Sequence, residues 1–407
     1  MRIIWLKSDY IVPPDSGGKI RTYNLLRELN RLCEVEYVAF KPDATPNTEP
    51  QMLDCARQIH TITRPEEKKS GLGFYSRVLR GIPSRLPYII RKYRDRGFRD
   101  YQRSRFRDPA RLRDTVIVCD FLEMTENVAW DVPVPKVLFQ HNVESVIWDR
   151  YYQTETNRLK KVYFNYERRR MARYEQAACN QFDLVLTVTQ RDLQRLRDDF
   201  RVTTPMAVIE TGVDTNFFQP QPSQPTVPGR LLFLGSLDWM PNIDGMKWFA
   251  AEIYPRIREA HPGVTLQIVG RRPDPAITRL AAEDPSIEVI GNVADVRPYV
   301  AQCDLFLVPL RVGGGSRLKI FEAMAMDKPV VSTTIGAEGL PVRDQHDIVL
   351  GDSPEEFCQQ VVQLLRDGES KTRISHHGYR LVTENFPWTR IAQEFHDRCL
   401  QLTQVPA

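Results

Sequence analysis

Long apolar runs and paired cysteines are both missing from this chain. No stretch of about eighteen apolar residues occurs, so the sequence predicts no transmembrane helix. The apolar run within residues 1–15 is too short for a secretory signal peptide. The seven cysteines are scattered and none belongs to a Cys-x-x-Cys pair, which argues against a disulfide scaffold or a zinc site. We therefore expect a cytoplasmic protein with reduced thiols.

Metal and dinucleotide signatures are absent as well. No Asp-x-Asp sequence occurs, and no group of His, Cys and acidic residues has the spacing of metal ligands. The glycine loop at 17–18 lacks the G-x-G-x-x-G pattern of dinucleotide-binding folds. We expect chemistry that needs no metal and no bound cofactor.

Positive charge, by contrast, is concentrated in two segments. Residues 77–113 contain thirteen Lys and Arg against three acids, a local charge of +10 in a chain of net charge +4. A second basic run covers 158–173, and aromatic residues are interleaved with both runs. Such a surface suits anionic lipid headgroups, and equally RNA, a diphosphate-linked acceptor or plain solvent. We expect contact with an anionic membrane surface through 77–113, at the inner face of the cell membrane, and no nucleic acid, because no nucleic-acid-binding module is recognisable.

Both halves of the chain repeat the order strand, turn, helix, which indicates two doubly wound, Rossmann-like α/β domains. The Pro- and Gln-rich segment 219–229 cannot form a regular element and is expected to link domains 1–218 and 230–385. Apolar runs predict strands at 2–6, 34–40, 115–119, 136–139, 183–188, 207–210, 230–234, 265–269, 287–290, 305–308 and 330–331. Helices are expected at 19–30, 244–261, 295–301 and 386–402, and from Pro354 and Ser370 onward.

The segment 313–340 carries the strongest indication of chemistry. A glycine-rich loop with Arg317 and Lys319 leads into a short helix that holds Glu322. The N–H groups and the dipole of a helix start favour an anion, and two cations beside it suit a diphosphate. A carboxylate one turn farther on suits the hydroxyls of a ribose. The pattern therefore predicts a site for a sugar nucleotide.

This segment resembles the donor-binding segment of retaining GT-B glycosyltransferases of family 4. Phe321–Ala325 (FEAMA) and Pro329–Val331 (PVV) match that family's E-A-M-A helix start and G-x-P-V-V strand, and 211–218 (TGVDTNFF) is similar to its G-V-D-x-x-x-F segment. Gly314 stands where the family has its first Glu. The resemblance implies a GT-B fold, in which an N-terminal acceptor-binding domain and a C-terminal donor-binding domain face a central cleft. It also implies that helix 386–402 packs back on the N-terminal domain.

The resemblance and the positions at strand ends together indicate site residues. His141 and Glu144 are the catalytic candidates, the first as a contact of the donor sugar and the second as a base for the acceptor hydroxyl. Ser236 stands where many members have an Arg that clamps the diphosphate, so other cations must serve. The donor-binding candidates are Gly17, Gly18, Gly235, Ser236, Arg271, Gly315, Ser316, Arg317, Lys319 and Glu322.

These features predict a retaining hexosyltransferase that moves a sugar from a UDP- or GDP-sugar to a hydroxyl of a polysaccharide or glycolipid. Protein cations and helix starts, rather than a metal, are expected to stabilise the departing nucleoside diphosphate. Two alternatives stay open. A nucleotide-sugar epimerase on the same fold would need additional acid–base carboxylates, and a transferase-like binding protein would bind the donor without catalysis.

Overall fold

The chain divides into two compact units. A computed structural model describes residues 1–14, 16–42, 49–64, 76, 78, 80–108, 112–312 and 318–404. The first unit comprises Met1–Glu210 together with Thr389–Ala407, and the second comprises Thr211–Trp388. No helix within the described residues combines the length and the apolar character needed to cross a membrane.

The first unit is built on a seven-stranded parallel sheet. Its strands are β1 (Arg2–Lys7), β2 (Glu34–Pro42), β3 (Gln58–Arg64), β4 (Thr115–Asp120), β5 (Lys136–Gln140), β6 (Leu184–Thr187) and β7 (Met206–Val208). They lie in the order β3-β2-β1-β4-β5-β6-β7, and Ile3 of β1 stands between Val35 and Val116. The chain therefore reverses its direction of sheet growth between β1 and β4, which is where open α/β sheets bind ligands.

Helices cover both faces of this sheet. They are α1 (Gly17–Leu32), α2 (Glu49–Leu53), α3 (Tyr88–Tyr93), α4 (Arg96–Arg105), a 3₁₀ helix (Leu122–Asn127), α5 (Glu144–Thr154), α6 (Arg158–Cys179) and α7 (Gln190–Asp198). Every residue of β4 and β5 is buried, as expected for central parallel strands with helices on each side. Ile117 and Leu138 from these strands pack with Leu122 and Met171 from the helices in one apolar core.

The second unit repeats the arrangement with a six-stranded parallel sheet. Its strands are β8 (Arg230–Leu234), β9 (Thr265–Val269), β10 (Ile287–Ile290), β11 (Leu305–Val308), β12 (Val330–Ser332) and β13 (Val349–Leu350). They lie in the order β10-β9-β8-β11-β12-β13, so the reversal falls between β8 and β11. The carboxyl ends of β8 and β11 therefore flank a position that favours ligand binding, and the end of β9 lies beside that of β8.

The helices of the second half follow the expected alternation with one break. They are α8 (Met240–Trp248), a π-helical turn (Phe249–Ile253), α9 (Tyr254–Ala260), α10 (Pro275–Glu283), α11 (Arg297–Gln302), α12 (Leu318–Ala325), α13 (Pro354–Arg366), α14 (Gly368–Asn385) and α15 (Trp388–Gln404). The single helix expected at 244–261 starts earlier, because Pro241 is suited to the first helical turn. It is interrupted by the π-helical turn, which directly precedes the proline-containing first turn of α9.

Residues 219–229, which are expected to be a linker, form hydrogen bonds with other residues of the second unit. The Val227 N–H donates to the Gln302 carbonyl at 2.9 Å, and the Gln302 side chain donates to Gln224 Oε1 at 2.9 Å. The second compact unit begins at Thr211, and the Val213 N–H donates to the Phe386 carbonyl at 2.8 Å within it.

Helix α15 returns the chain to the first unit. Its buried residues within the first unit are Ile391, Ala392, Phe395 and Cys399, which lie on one side of the helix. The Phe395 ring packs against Trp5 and Phe139, each at a centroid distance of 5.4 Å. Side chains of α15, from the C-terminal part of the sequence, thus pack against the first sheet.

Candidate functional site

The first unit gathers polar side chains around Asp120, the last residue of β4. This carboxylate is completely buried, and its Oδ2 lies 2.9 Å from the Nζ of Lys7. The same oxygen accepts hydrogen bonds from Trp5 Nε1 at 3.0 Å and from Thr22 Oγ1 at 2.9 Å. Since Trp5 and Lys7 lie on β1 and Thr22 on α1, one carboxylate ties the ends of two strands to the first helix.

His141 lies on the other oxygen of this carboxylate, directly after β5. Its Nε2 is 2.6 Å from Asp120 Oδ1, and its Nδ1 is 3.3 Å from Nη1 of Arg21. Because a guanidinium can only donate, Nδ1 accepts and the proton of the neutral ring is assigned to Nε2. The ring is stacked on Phe121 at 4.0 Å, and 4 % of the residue is exposed. Both ring nitrogens of the first catalytic candidate are therefore engaged by the protein.

Burial and charge act in opposite directions on this pair. Burial lowers the pKa of His141, and the nearby cations Arg21 and Lys7 lower it further, against the attraction of Asp120. Burial alone would raise the pKa of Asp120, but Lys7 and the bond from His141 hold it well below its usual range. Burial lowers the pKa of Arg21 to about 10. At neutral pH the cluster thus holds one carboxylate, two cations and a neutral imidazole.

The two glycines at the start of α1 have room around them. A Cβ on Gly17 would meet nothing within 4 Å, and one on Gly18 would lie at an ordinary 3.5 Å from the Phe121 ring. The chain's own packing therefore does not demand glycine at either position. A helix start with this much open space can admit a ligand close to its backbone N–H groups.

Helix α5, which carries Glu144 at its first position, is capped from another helix. Glu175 of α6 is completely buried, and its carboxylate accepts hydrogen bonds from the backbone N–H groups of Glu144 and Ser145, both at 2.9 Å. Gln140 Nε2 donates to the same carboxylate at 3.0 Å. Burial raises the pKa of Glu175, and these hydrogen bonds oppose that rise. Glu175 therefore fixes where Glu144 stands.

The Glu144 side chain belongs to a group of acids that resist ionisation. Burial raises its pKa well above the ordinary value, and the charges of Glu123 and Glu175 add to the rise. Glu123, in the 3₁₀ helix after β4, accepts a hydrogen bond from Ser8 Oγ at 2.8 Å, and burial raises its pKa as well. A protonated Glu144 can donate a hydrogen bond, and it must lose that proton before it can act as a base.

The second unit brings two cations to the loop after β8. Arg271 Nε donates to Ser236 Oγ at 3.0 Å, and Asn242 Nδ2 donates to the Ser236 carbonyl at 2.8 Å. The Nζ of Lys319 is 3.5 Å from Asn242 Oδ1. Arg271 follows β9 and Lys319 lies on α12, so cations from two separate elements converge beside Gly235 and Ser236.

Close packing demands glycine at position 270 and leaves little room for a side chain at position 235. A Cβ on Gly235 would lie 2.6 Å from Asn242 Nδ2 and 2.8 Å from Lys319 Nζ. A Cβ on Gly270 would lie 1.7 Å from the carbonyl oxygen of Gly235. The two glycines thus let the loops after β8 and β9 lie against each other with the lysine at their edge.

Glu322 stands one helical turn after Lys319 on α12. Burial raises the pKa of its carboxyl to about 7, and Lys319 opposes the rise. The Lys319 ammonium is also 4.5 Å from the centroid of the Phe233 ring. The carboxyl can therefore change its ionisation near neutral pH, close to the Lys319 ammonium.

Some predicted residues lie beyond the described part of the chain, and some observed ones were not predicted. Gly315, Ser316 and Arg317 belong to 313–317, outside the described residues. Five residues of these two sites have structural roles that the sequence analysis does not predict: Lys7, Asp120, Glu123, Glu175 and Asn242. Of these, Asp120 alone carries a sequence signal, a single acid at the end of the apolar strand at 115–119. Among the described residues, no three His, Cys, Asp or Glu side chains are grouped so as to hold a metal ion.

Two family profiles match successive parts of the sequence. Residues 16–217 match "Glycosyltransferase Family 4" and residues 228–367 match "Glycosyl transferases group 1". Together the two matches cover most of the chain, and they divide it close to the unit boundary at Glu210.

Curated relatives are distant and matched over part of their length. An uncharacterised 44.6 kDa protein from the cps region of Klebsiella pneumoniae is 22% identical over 62% of this chain and 65% of its own. A GDP-mannose-dependent α-(1-6)-phosphatidylinositol monomannoside mannosyltransferase from Mycobacterium tuberculosis is 26% identical over 53% of this chain and 61% of its own. The matched region thus spans less than two thirds of either relative.

Solved structures match nearly the whole chain. Sucrose-phosphate synthase from Thermosynechococcus elongatus superposes with a TM-score of 0.70 at 15% identity, covering 98% of both chains. HepE from Anabaena, solved with UDP and glucose, gives a TM-score of 0.63 at 16% identity, covering 98% of this chain and 99% of its own. With the two parallel sheets, these similarities confirm the predicted fold class, GT-B with two Rossmann-like domains.

Proposed function

Since the chain belongs to the GT4-type glycosyltransferases of group 1, we propose that it is a retaining hexosyltransferase that uses a nucleoside-diphosphate sugar. The acceptor is a hydroxyl of a polysaccharide or glycolipid. The observation that carries this proposal is the convergence of Arg271 and Lys319 on the loop at Gly235–Ser236. Two cations at the carboxyl ends of parallel strands suit the diphosphate of such a donor.

The donor end of the reaction is assigned to the second unit. Arg271 offers a planar fork for a phosphate and Lys319 a point charge, so together they can stabilise the negative charge that develops on the leaving diphosphate. Ser236 supports this assignment, because its hydroxyl holds the Arg271 side chain at the position where many family members carry an Arg of their own. Gly315, Ser316 and Arg317 complete the phosphate site in this proposal, which then needs no metal ion.

Glu322 is proposed to bind the ribose of the nucleotide. An ionised carboxylate can accept hydrogen bonds from both ribose hydroxyls. Its place one turn beyond Lys319 on α12 suits a nucleotide whose phosphates lie on that lysine.

We assign binding of the donor's sugar, and binding of the acceptor, to the first unit. Gly17 and Gly18 leave room for the sugar or phosphate at the start of α1. The His141 imidazole contacts Arg21 through Nδ1 at 3.3 Å and Asp120 through Nε2 at 2.6 Å. Because the contact with Arg21 is the longer one, we propose that Nδ1 exchanges Arg21 for a hydroxyl of the sugar. Glu144 is proposed to act on the acceptor hydroxyl once it has given up its proton.

Relatives indicate which donors to try first. The Anabaena structure holds UDP, and the mycobacterial relative is named for its dependence on GDP-mannose. UDP- and GDP-sugars are therefore the first candidates for this chain.

We place the protein in the cytoplasm, at the inner face of the membrane, with residues 77–113 as an anionic-lipid contact. Some of the basic side chains of that segment form ion pairs within the protein. Arg103 pairs with Asp131 at 2.8 Å, and Arg105 pairs with the buried Glu36 at 2.6 Å. The proposed contact therefore depends on the remaining cations of 77–113.

The test is calorimetric titration with UDP, GDP, ADP and their sugars. We expect one nucleotide series to bind wild type and to bind Lys319→Met at least about tenfold more weakly, as for loss of a charge-assisted contact. The matched control is Lys247→Met, because Lys247 is exposed on α8 of the same unit. Equal affinity for the two variants would refute the donor site, and binding without transfer to any acceptor would favour the non-catalytic alternative.

A further inference from the structure

Helix α6 presents apolar side chains to solvent. Leu159 is 84% exposed, the highest value for a large hydrophobic side chain in the described part of the chain, and Val162 is 70% exposed. Tyr166, 39% exposed, continues the row. Spacings of three and four residues place these three side chains on one side of the helix.

A neighbouring loop extends the row. The Tyr166 hydroxyl donates to the Ile82 carbonyl at 2.5 Å, and the Ile82 side chain is itself 42% exposed. The hydrogen bond brings the exposed Ile82 residue to the row on α6, and these four large side chains are called the apolar strip.

Exposed cations lie along the same helix as the strip, and the acids of α6 itself are buried. Four exposed cations lie on this part of α6: Arg158, Lys160, Arg169 and Arg173. None of the four forms an ion pair with a residue that the structure describes, whereas Arg168 and Arg170 pair with Asp149 and Glu167. The acids within α6 are Glu167 and Glu175, which are 1% and 0% exposed. We call the strip and these four cations the α6 face.

We propose that the α6 face docks on a lipid bilayer with anionic headgroups. Apolar tips can enter the boundary between headgroups and acyl chains, while Lys and Arg reach back to phosphate. Charge complementarity selects this occupant: a second copy pairing through the same face would bring like charges together. The face lies on a different element from the basic segment 77–113 and does not depend on which sugar is transferred.

Vesicle co-sedimentation tests the proposal on the full chain without donor. Vesicles of phosphatidylcholine with phosphatidylglycerol are expected to bind wild type at least about tenfold more strongly than phosphatidylcholine alone. The double variant Leu159→Ser/Val162→Ser and the double variant Arg169→Gln/Arg173→Gln should each lower binding to the mixed vesicles by a similar factor. Leu53→Ser is the matched control, because Leu53 is 53% exposed on α2 of the same unit.

Three results would overturn the proposal. The first is the absence of vesicle binding by wild type, and the second is binding to mixed vesicles that neither double variant weakens. The third is concentration-dependent self-association of wild type that Leu159→Ser/Val162→Ser abolishes, which would make the face a protein interface. Nucleotide titration of the same samples reports on the donor site separately, so failure of the proposed reaction and failure of this surface are distinguishable.

Discussion

At the scale of single residues, the carboxyl groups of Asp120 and Glu322 show how neighbouring charges decide ionisation. Asp120 has Lys7 and His141 against it, and their effect outweighs burial, so its pKa lies well below the usual range. For Glu322, Lys319 opposes the effect of burial, but burial prevails and the pKa rises to about 7. The first carboxylate is therefore a fixed charge, whereas the second can respond to pH and to a ligand.

This difference predicts a pH-dependent affinity for nucleotide. If the ionised form of Glu322 accepts the ribose hydroxyls, affinity should rise as pH increases from 6 to 8, by about tenfold, because the ionised fraction grows by that factor around a pKa near 7. Binding should also release protons, since hydrogen bonds to the carboxylate favour its ionised form. Calorimetry at several pH values, in buffers of different ionisation enthalpy, measures both effects.

Glu322→Gln provides the comparison. The amide keeps the size of the side chain and cannot titrate, so its weaker nucleotide binding should be flat over the same pH range. A wild-type affinity that is equally flat would show that Glu322 does not bind the ribose in its ionised form.

At the scale of elements, the start of α5 depends on a side chain from α6. Replacing Glu175 by Ala would leave the backbone N–H groups of Glu144 and Ser145 without their acceptor. We expect the unfolding free energy to fall by about 2 kcal/mol, as for loss of a helix cap with buried donors. Urea unfolding measures the change. Ser145→Ala removes a single bond to Glu175 and should cost less; an equal cost for the two would argue against capping as the main role of Glu175.

Most strands could be predicted from the sequence because they are buried on both faces. The runs at 115–119 and 265–269 agree with β4 and β9 to within a residue. β3 is not among the predicted strands because the prediction rests on continuous apolar runs, whereas this half-buried edge strand, QIHTITR, alternates polar and apolar residues. β13 was missed because it has two residues.

The site could be predicted only in part, since strand ends are visible in a sequence and their neighbours are not. The positions of His141 and Lys319 followed from strand and helix patterns. Their partners did not: Trp5 and Asp120 are 115 residues apart, and Lys319 and Asn242 are 77 apart. Such contacts are set by the order of strands in the sheets, which apolar periodicity does not specify.

At the scale of the whole molecule, the chain leaves the first unit after Glu210 and returns to it from Thr389. The returning helix supplies the completely buried Phe395, which covers Trp5 and Phe139. Trp5 in turn donates to Asp120, so the packing of α15 supports the polar cluster at the end of β4.

Phe395→Ala is therefore expected to lower the stability of the first unit by about 3–5 kcal/mol, because it removes a large buried ring and leaves a cavity against Trp5. Urea unfolding followed by tryptophan fluorescence measures the loss. The matched control is Gln401→Ala, an exposed position on the same helix, which should change little. Nucleotide binding by the second unit should persist below the new transition, since Arg271, Lys319 and Glu322 belong to the second compact unit and Phe395 belongs to the first. If the unfolding free energy were unchanged, Phe395 would not be a component of the core of the first unit, and the packing of α15 would not stabilise that unit.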